Sequence, residues 1–194
     1  MFHRGETKYI NMIMGENLLP ERGGRPLTQR LRASLKSGEK FNHLVLATSG
    51  SGKTSAIAEL GRSEYVLYIK CTSSGGAVRE SKSYDAGFGT MVENYYNRRG
   101  LTGPSNVLEA KRAASIELMC RLAQLHKLLD LIPGLTPWQY FVHQQLAGDE
   151  WTGPLRKKLM NLSQISCNVI VRRLLSSIEV SVRERLCKLV IAVD

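Results

Sequence analysis

The sequence predicts an α/β fold with a parallel sheet, from two apolar runs and the helical spacing that separates them. Residues 43–46 form a short apolar run, and residues 55–60 continue at helical spacing behind a Gly/Ser-rich loop. Residues 64–70 are rich in aromatic and β-branched side chains, which is typical of a strand. Two strands joined by a helix form a right-handed parallel unit. An unbroken apolar run also favours a strand covered on both faces.

The loop between the first strand and the first helix carries the clearest functional signal. Its end, Gly52-Lys53-Thr54, matches the pattern G-x-x-x-x-G-K-[ST], while Ala47 stands at the first glycine position. In this pattern backbone N–H groups converge on phosphate oxygens, the lysine reaches the β- and γ-phosphates, and the hydroxyl binds Mg²⁺. The alternative is an ordinary Gly/Ser loop, which requires no Lys-Thr pair at the start of a helix. The residues expected to hold the nucleotide are Thr48, Ser49, Gly50, Ser51, Gly52, Lys53, Thr54 and Ser55.

A second candidate ligand stands at the end of the chain. Residues 189–193 are an apolar, β-branched run, and Asp194 follows it, as in a Walker B strand whose carboxylate holds Mg²⁺. Because Mg²⁺ prefers oxygen ligands, Thr54 and Asp194 together are the predicted metal ligands. Any core strand can end in aspartate, so this prediction depends on the loop upstream. No N/T-K-x-D guanine-reading motif is present, which favours ATP, and no catalytic residue is predicted.

Helical patterns occupy most of the remaining chain. Residues 27–36 predict a short basic helix, and residues 105–132 a long one whose leucine stripe we assign to core packing. Thr136 and Pro137 have the form of an N-cap and first helical residue. That helix is expected to break between Gly148 and Pro154, and one helix or two should follow over residues 155–185. The predicted organisation is a lead-in over residues 1–40 and a core over 41–194, with a helical insertion at about 105–186 before the last strand.

The net charge of +10 favours anionic partners. Residues 155–188 hold eight basic and two acidic residues, a balance of 8 − 2 = +6. A nucleic-acid surface and a solvated basic helix face account for this equally well, since no aromatic residues alternate with the charges. The four cysteines and four histidines fall in no metal-ligand spacing, so buried free thiols are expected. The eight basic residues are Arg156, Lys157, Lys158, Arg172, Arg173, Arg183, Arg185 and Lys188.

The sequence gives no indication of a membrane partner. No apolar run approaches the ~20 residues that a membrane span needs. The first residues also lack the layout of a signal peptide. An intracellular location is therefore the default expectation.

On these motifs the chain resembles the P-loop NTPase superfamily, and within it the additional-strand branch. It is also similar to the NTPase region of Crinkler-type effector proteins, in its Tyr-rich second strand, in residues 135–138 followed by Gln144 and Gln145, and in residues 191–194. The likeness covers about residues 40–194. It implies an ATPase-type domain that binds ATP and Mg²⁺, with the Walker B strand separated from the loop strand.

The chain departs from this resemblance in two respects. The family normally has an acidic residue after the Walker B aspartate, then further strands with a polar sensor and often an arginine finger, whereas this sequence stops at Asp194. Crinkler-type proteins also share an N-terminal header for secretion and host entry, and none is found here. We therefore expect a partial core that is weak or inactive in hydrolysis by itself. A partner chain could complete its sheet.

Two other functions remain open at this stage. The chain could be a basic nucleic-acid-associated or host-targeting interaction protein that keeps the fold, in which case a host cell or nuclear location would follow. A small-molecule kinase is disfavoured, because the sequence shows no pattern typical of a basic lid with an adjacent acceptor pocket.

Overall fold

The computed structural model describes residues 24–36, 53–69 and 104–193. Within these ranges the chain is a mixed α/β protein of five helices and a two-stranded parallel sheet. The predicted strand at residues 43–46, the loop residues 47–52 and Asp194 lie outside the described residues. The elements in order are α1 (Gly24–Lys36), α2 (Lys53–Leu60), β1 (Tyr65–Ile69), α3 (Pro104–Leu131), α4 (Pro137–Leu159), α5 (Gln164–Glu184) and β2 (Leu189–Val193).

The two strands form the centre of the described fold. β1 and β2 pair in parallel, with Tyr65 opposite Leu189 and Ile69 opposite Val193. The predicted strands at 64–70 and 189–193 are thus confirmed to within one residue at each end. All five residues of β1 are buried, as expected for a strand covered on both faces. β2 is less covered, since Ile191 and Val193 are exposed.

Helices cover the two faces of β1 with different side chains. Tyr65 and Leu67 lie in one apolar cluster with residues of α3 and α5, while Val66 and Tyr68 lie in another with residues of α2. This division follows from the period of two along a strand, which sends successive side chains to opposite faces. The first cluster includes Leu122, Leu125, Leu129, Ile178 and Val182, and the second includes Ala58, Leu60 and Phe141.

The edge of β1 that faces away from β2 is closed by the side chain of Gln144. The Tyr68 N–H donates to Gln144 Oε1 (3.1 Å), and Gln144 Nε2 donates to the Val66 carbonyl (2.6 Å). The Tyr65 N–H donates to the Lys188 carbonyl just before β2. Because successive residues of a strand direct their backbone groups to opposite edges, Val66 and Tyr68 point away from β2. A glutamine of α4 therefore takes the place of a neighbouring strand.

The predicted helices are largely confirmed, with one correction. α1 begins three residues before the predicted position, with Pro26 in its first turn, and α3 extends over almost the whole predicted range. Thr136 caps α4 in a capping box with Gln139. The predicted break between Gly148 and Pro154 is wrong, because α4 continues to Leu159 with Pro154 inside it.

Tertiary contacts explain why α4 continues through these residues. Proline removes one backbone donor and disfavours a helix interior, but the residues on either side are anchored. Thr152 and Arg156 are buried and hydrogen-bonded to each other, and Arg156 pairs with Glu117 of α3. The helix ends instead at Leu159, residues 160–163 are not helical, and Ser163 caps α5. Among the described residues, no helix has an apolar stretch long enough to span a membrane.

Candidate functional site

The first turn of α2 is the described part of the predicted nucleotide site. α2 begins at Lys53, the lysine of the loop motif, where the sequence predicts the start of a helix. Thr54 is exposed and Ser55 is half-buried in this turn. The other predicted ligands, residues 48–52 and Asp194, lie outside the described part of the chain, as does the Lys53 side chain.

The start of α2 lies toward the carboxyl ends of the two strands. A tight turn at residues 61–64 joins α2 to β1, with the Glu64 N–H donating to the Leu60 carbonyl (3.0 Å). Ala58 and Leu60 of α2 share an apolar cluster with Val66 and Tyr68 of β1, from which we infer that helix and strand run in opposite directions. Eight helical residues span about 12 Å, and five strand residues about 16 Å. The first turn of α2 therefore stands near the level of Ile69 and Val193, which pair at the carboxyl end of the sheet.

The turn between α2 and β1 requires a glycine for steric reasons. A Cβ atom at Gly61 would lie 2.9 Å from two ring carbons of Phe141, closer than side-chain atoms normally approach. Phe141 stacks on Trp138, and the Arg62 guanidinium lies 4.6 Å from the centre of the Trp138 ring. Thus the end of α2 is packed tightly against α4, which fixes the direction in which α2 points.

α1 packs against α2 and forms hydrogen bonds to its backbone. The Thr28 hydroxyl donates to the Ala56 carbonyl (3.4 Å), and Arg32 Nη2 donates to the Glu59 carbonyl (3.3 Å). Arg32 also lies within ion-pair distance of the Glu59 carboxylate (3.6 Å). The predicted lead-in helix thus supports the helix that begins at Lys53.

A buried polar cluster of Glu117, Arg121 and Arg156 adjoins the carboxyl end of β1. Arg121 Nε donates to Glu117 Oε1 (2.8 Å), and Arg156 Nε donates to Glu117 Oε2 (2.8 Å). Arg121 Nη1 reaches the carbonyl of Tyr68 (3.3 Å), one residue before the strand ends. Glu117 and Arg121 are at most 2 % exposed. One carboxylate therefore pairs with two buried guanidinium groups.

The sequence patterns do not predict this cluster. Its one local signal is the spacing of Glu117 and Arg121, four residues apart on a helix whose other residues at this level are apolar. The prediction that Arg156 belongs to a basic surface is wrong, because its side chain is buried against Glu117. Arg185 is also partly structural, since it donates to the carbonyls of Leu135 and Leu129.

Burial shifts the titration of several groups near these helices. Burial, and then the negative charge of Glu117, raise the pKa of the Cys120 thiol to about 12. Burial raises the pKa of Tyr140 and lowers that of His143. Cys120 and Cys167 are buried free thiols, as the spacing of the cysteines predicted. The pKa shifts of Cys120, Tyr140 and His143 each favour the uncharged form of the side chain.

Comparisons with known proteins leave the family open. No protein-family model, no curated protein and no solved structure matches the chain. In the part of the chain that the structure describes, no group of three or more His, Cys, Asp or Glu residues is arranged to hold a metal ion. The function of the chain is therefore inferred from the loop motif and from the geometry of α2 and the sheet.

Proposed function

We propose that the chain binds Mg·ATP, as a P-loop domain of the ATPase type. The backbone N–H groups of residues 48–52 and the Lys53 ammonium would hold the phosphates, and Ser55 would lie in the same helical turn. Thr54 and Asp194 would hold the metal. The observation that carries the proposal is that α2 begins at Lys53 and shares an apolar cluster with β1 of a parallel sheet, from which we infer that its first turn lies toward the carboxyl end of that sheet. Ligands of parallel α/β sheets bind at this edge, and helix N-termini favour phosphate.

The position of β2 supports the metal part of the proposal. β2 is parallel to β1 and ends at Val193. We infer that Asp194, the next residue, would follow at the carboxyl end of the sheet. A threonine hydroxyl and a carboxylate are both hard oxygen donors, which suits Mg²⁺. When bound, the metal would neutralise charge on the β- and γ-phosphates.

One edge of β1 is occupied by a side chain, which limits where the predicted strand at residues 43–46 could pair. Gln144 occupies the backbone groups of Val66 and Tyr68 on the side away from β2. We infer that a strand at residues 43–46 would join the sheet on the β2 side. The partly buried Val190 and Ala192 pack against the cluster that contains Ala58, Leu60, Val66 and Tyr68. A crossover from the β2 side to β1 is compatible with that packing.

A calorimetric titration with Mg·ATP tests the phosphate assignment. Lys53→Ala should lose at least about tenfold in affinity, since an ion pair to phosphate in a partly desolvated site contributes more than about 1.4 kcal/mol. Lys111→Ala is the matched control, because Lys111 is an exposed lysine on α3. Full affinity of the Lys53 variant would refute the assignment. Asp194→Asn should weaken binding with Mg²⁺ present and have little effect when the metal is chelated.

A second candidate function is nucleic-acid binding through α5 and the end of α4. Six of the eight basic residues between positions 155 and 188 are exposed, against two exposed glutamates. Arg172 and Arg183 are 183 − 172 = 11 residues apart, about three helical turns, so they share one face of α5. In the described part of the chain neither forms an ion pair. Such a face can contact successive phosphates.

Salt dependence separates this candidate from nucleotide binding. Duplex DNA affinity that falls steeply with salt, that decreases further in an Arg172→Gln/Arg183→Gln variant and that is unchanged in Lys53→Ala would support the second function. DNA affinity that is undetectable at about 50 mM salt would exclude it.

A further inference from the structure

Helices α3 and α5 bring together a serine, a histidine and an aspartate in one hydrogen-bonded chain. His126 Nε2 lies 2.8 Å from the Ser177 hydroxyl oxygen. His126 Nδ1 lies 3.0 Å from Asp130 Oδ2. We propose that these three residues form a site of acyl transfer, in which Ser177 is the nucleophile and activated carboxylic esters are the substrates. This site is distinct from the proposed nucleotide site and uses none of its residues.

The two distances fit the roles that nucleophilic catalysis requires. A nucleophile and its base should be about 2.6–3.2 Å apart, with a third group that orients the base. A carboxylate at Nδ1 favours the tautomer with its proton on that nitrogen, so Nε2 is left to accept the Ser177 proton. Asp130 is a positioning residue in this arrangement, because it acts through the imidazole.

The direction of the helices determines what surrounds the hydroxyl. Ser115 accepts a hydrogen bond from Gln164 (2.9 Å), and His126 contacts Ser177, so positions increase together along both helices. α3 and α5 are therefore parallel. Helical side chains lean toward the N-terminus, so Ser177 leans toward the turn that carries Arg173. Arg173 is exposed, and its guanidinium is the nearest cation along α5 for stabilising an oxyanion.

A substrate can reach the site from solvent. The His126 side chain is 34 % exposed and that of Asp130 is 62 % exposed, and Ser177 is exposed as well. The three residues therefore lie at the surface, where α3 and α5 meet. Such a site accepts small esters without a conformational change, and it gives water direct access to an acyl-serine.

The proposed reaction has two balanced steps. The Ser177 oxygen attacks the ester carbonyl, its proton passes to His126 Nε2, and the bond to the leaving alcohol breaks as that alcohol takes the proton. His126 then removes a proton from water, which attacks the acyl-serine and releases the carboxylic acid. Ser177 regains its proton from His126. No oxidant, reductant or metal is needed.

The expected rate is modest. A positioned general base contributes about 10²–10⁴-fold. A preorganised oxyanion hole would add about 10²–10³-fold, but Ser177 lies within α5, where backbone N–H groups bond to carbonyls of the helix. Arg173 is the candidate substitute. Activated esters, which have good leaving groups, should therefore react, and amides should not.

Hydrolysis of p-nitrophenyl acetate by the full chain tests the proposal. The wild type should release p-nitrophenol at least about tenfold faster than Ser177→Ala or His126→Ala. Ser176→Ala is the matched control, because Ser176 is an exposed serine on the next position of α5, and it should keep the wild-type rate. Asp130→Asn should lower kcat and leave KM unchanged, because Asp130 does not touch the substrate.

Mass spectrometry of acid-quenched reactions identifies the nucleophile. An acetyl group on Ser177 that is absent from the His126 variant supports the proposal. A wild-type rate in Ser177→Ala would overturn it, as would acetylation confined to His126 or to lysine side chains. Matching circular dichroism spectra for all variants distinguish loss of reactivity from loss of fold.

Discussion

At the scale of single residues, Glu117 is a carboxylate in the interior of the described protein, where its charge requires partners. It is fully buried and pairs with two guanidinium groups, Arg121 and Arg156. Glu117→Gln keeps the shape of the side chain and removes its charge, and with it the ion pairs to two buried guanidinium groups. We expect a loss of about 3–5 kcal/mol in the free energy of unfolding, measured with urea.

Glu179→Gln is the control for this prediction. Glu179 is exposed on α5, and a substitution there should change the free energy of unfolding by less than about 0.5 kcal/mol. If the two variants were equally stable, Glu117 would not be holding the arginines in place.

His143 gives a prediction for the pH dependence of stability. Burial lowers its folded-state pKa below the ordinary value of 6.5. The unfolded chain therefore takes up the proton first, so this contribution to stability is complete above about pH 6.5 and is lost as the pH falls. His143→Gln should lose less free energy of unfolding than the wild type between about pH 7.5 and about pH 5. Equal losses would show that His143 does not contribute.

At the scale of elements, α4 stabilises the sheet through one side chain. Gln144→Leu would leave the Val66 carbonyl and the Tyr68 N–H without their partner in the interior. Each buried unsatisfied group costs about 1–3 kcal/mol. The free energy of unfolding should therefore fall by about 2–6 kcal/mol in a urea titration.

Gln145→Leu is the matched control for the edge of β1. Gln145 is the next residue of α4 and is half-buried. Its replacement should cost less than about 1 kcal/mol. A Gln145 variant as unstable as the Gln144 variant would mean that helix packing, not the pairing with β1, accounts for the effect.

Local signals predicted the elements well, and long-range contacts decided the rest. The cap at Thr136 and the β-branched runs of β1 and β2 depend on adjacent residues, so they could be read from sequence. The continuation of α4 past Gly148 depends on the pair Arg156 and Glu117, which lie 156 − 117 = 39 residues apart. Gln144 and the Tyr68 N–H that donates to it are also far apart in sequence, as are His126 and Ser177.

At the scale of the whole molecule, the described elements converge on the carboxyl end of the sheet. β1 and β2 end there, α2 points its first turn there, and the Arg121 guanidinium reaches the Tyr68 carbonyl there. The motif at residues 47–54 predicts a nucleotide site at the start of α2, and this stays a prediction. The Glu117 cluster beside it could not be predicted, because three separate turns of two helices contribute to it.

Hydrogen exchange measured by mass spectrometry tests the nucleotide-binding proposal most directly. Phosphate bound by the loop should slow exchange of the backbone amides of residues 48–54 when Mg·ATP is added, and Lys53→Ala should abolish most of that protection. Exchange in α5 should stay unchanged. If Mg·ATP bound without slowing exchange at residues 48–54, or protected only the basic face of α5, the loop would not be the nucleotide site.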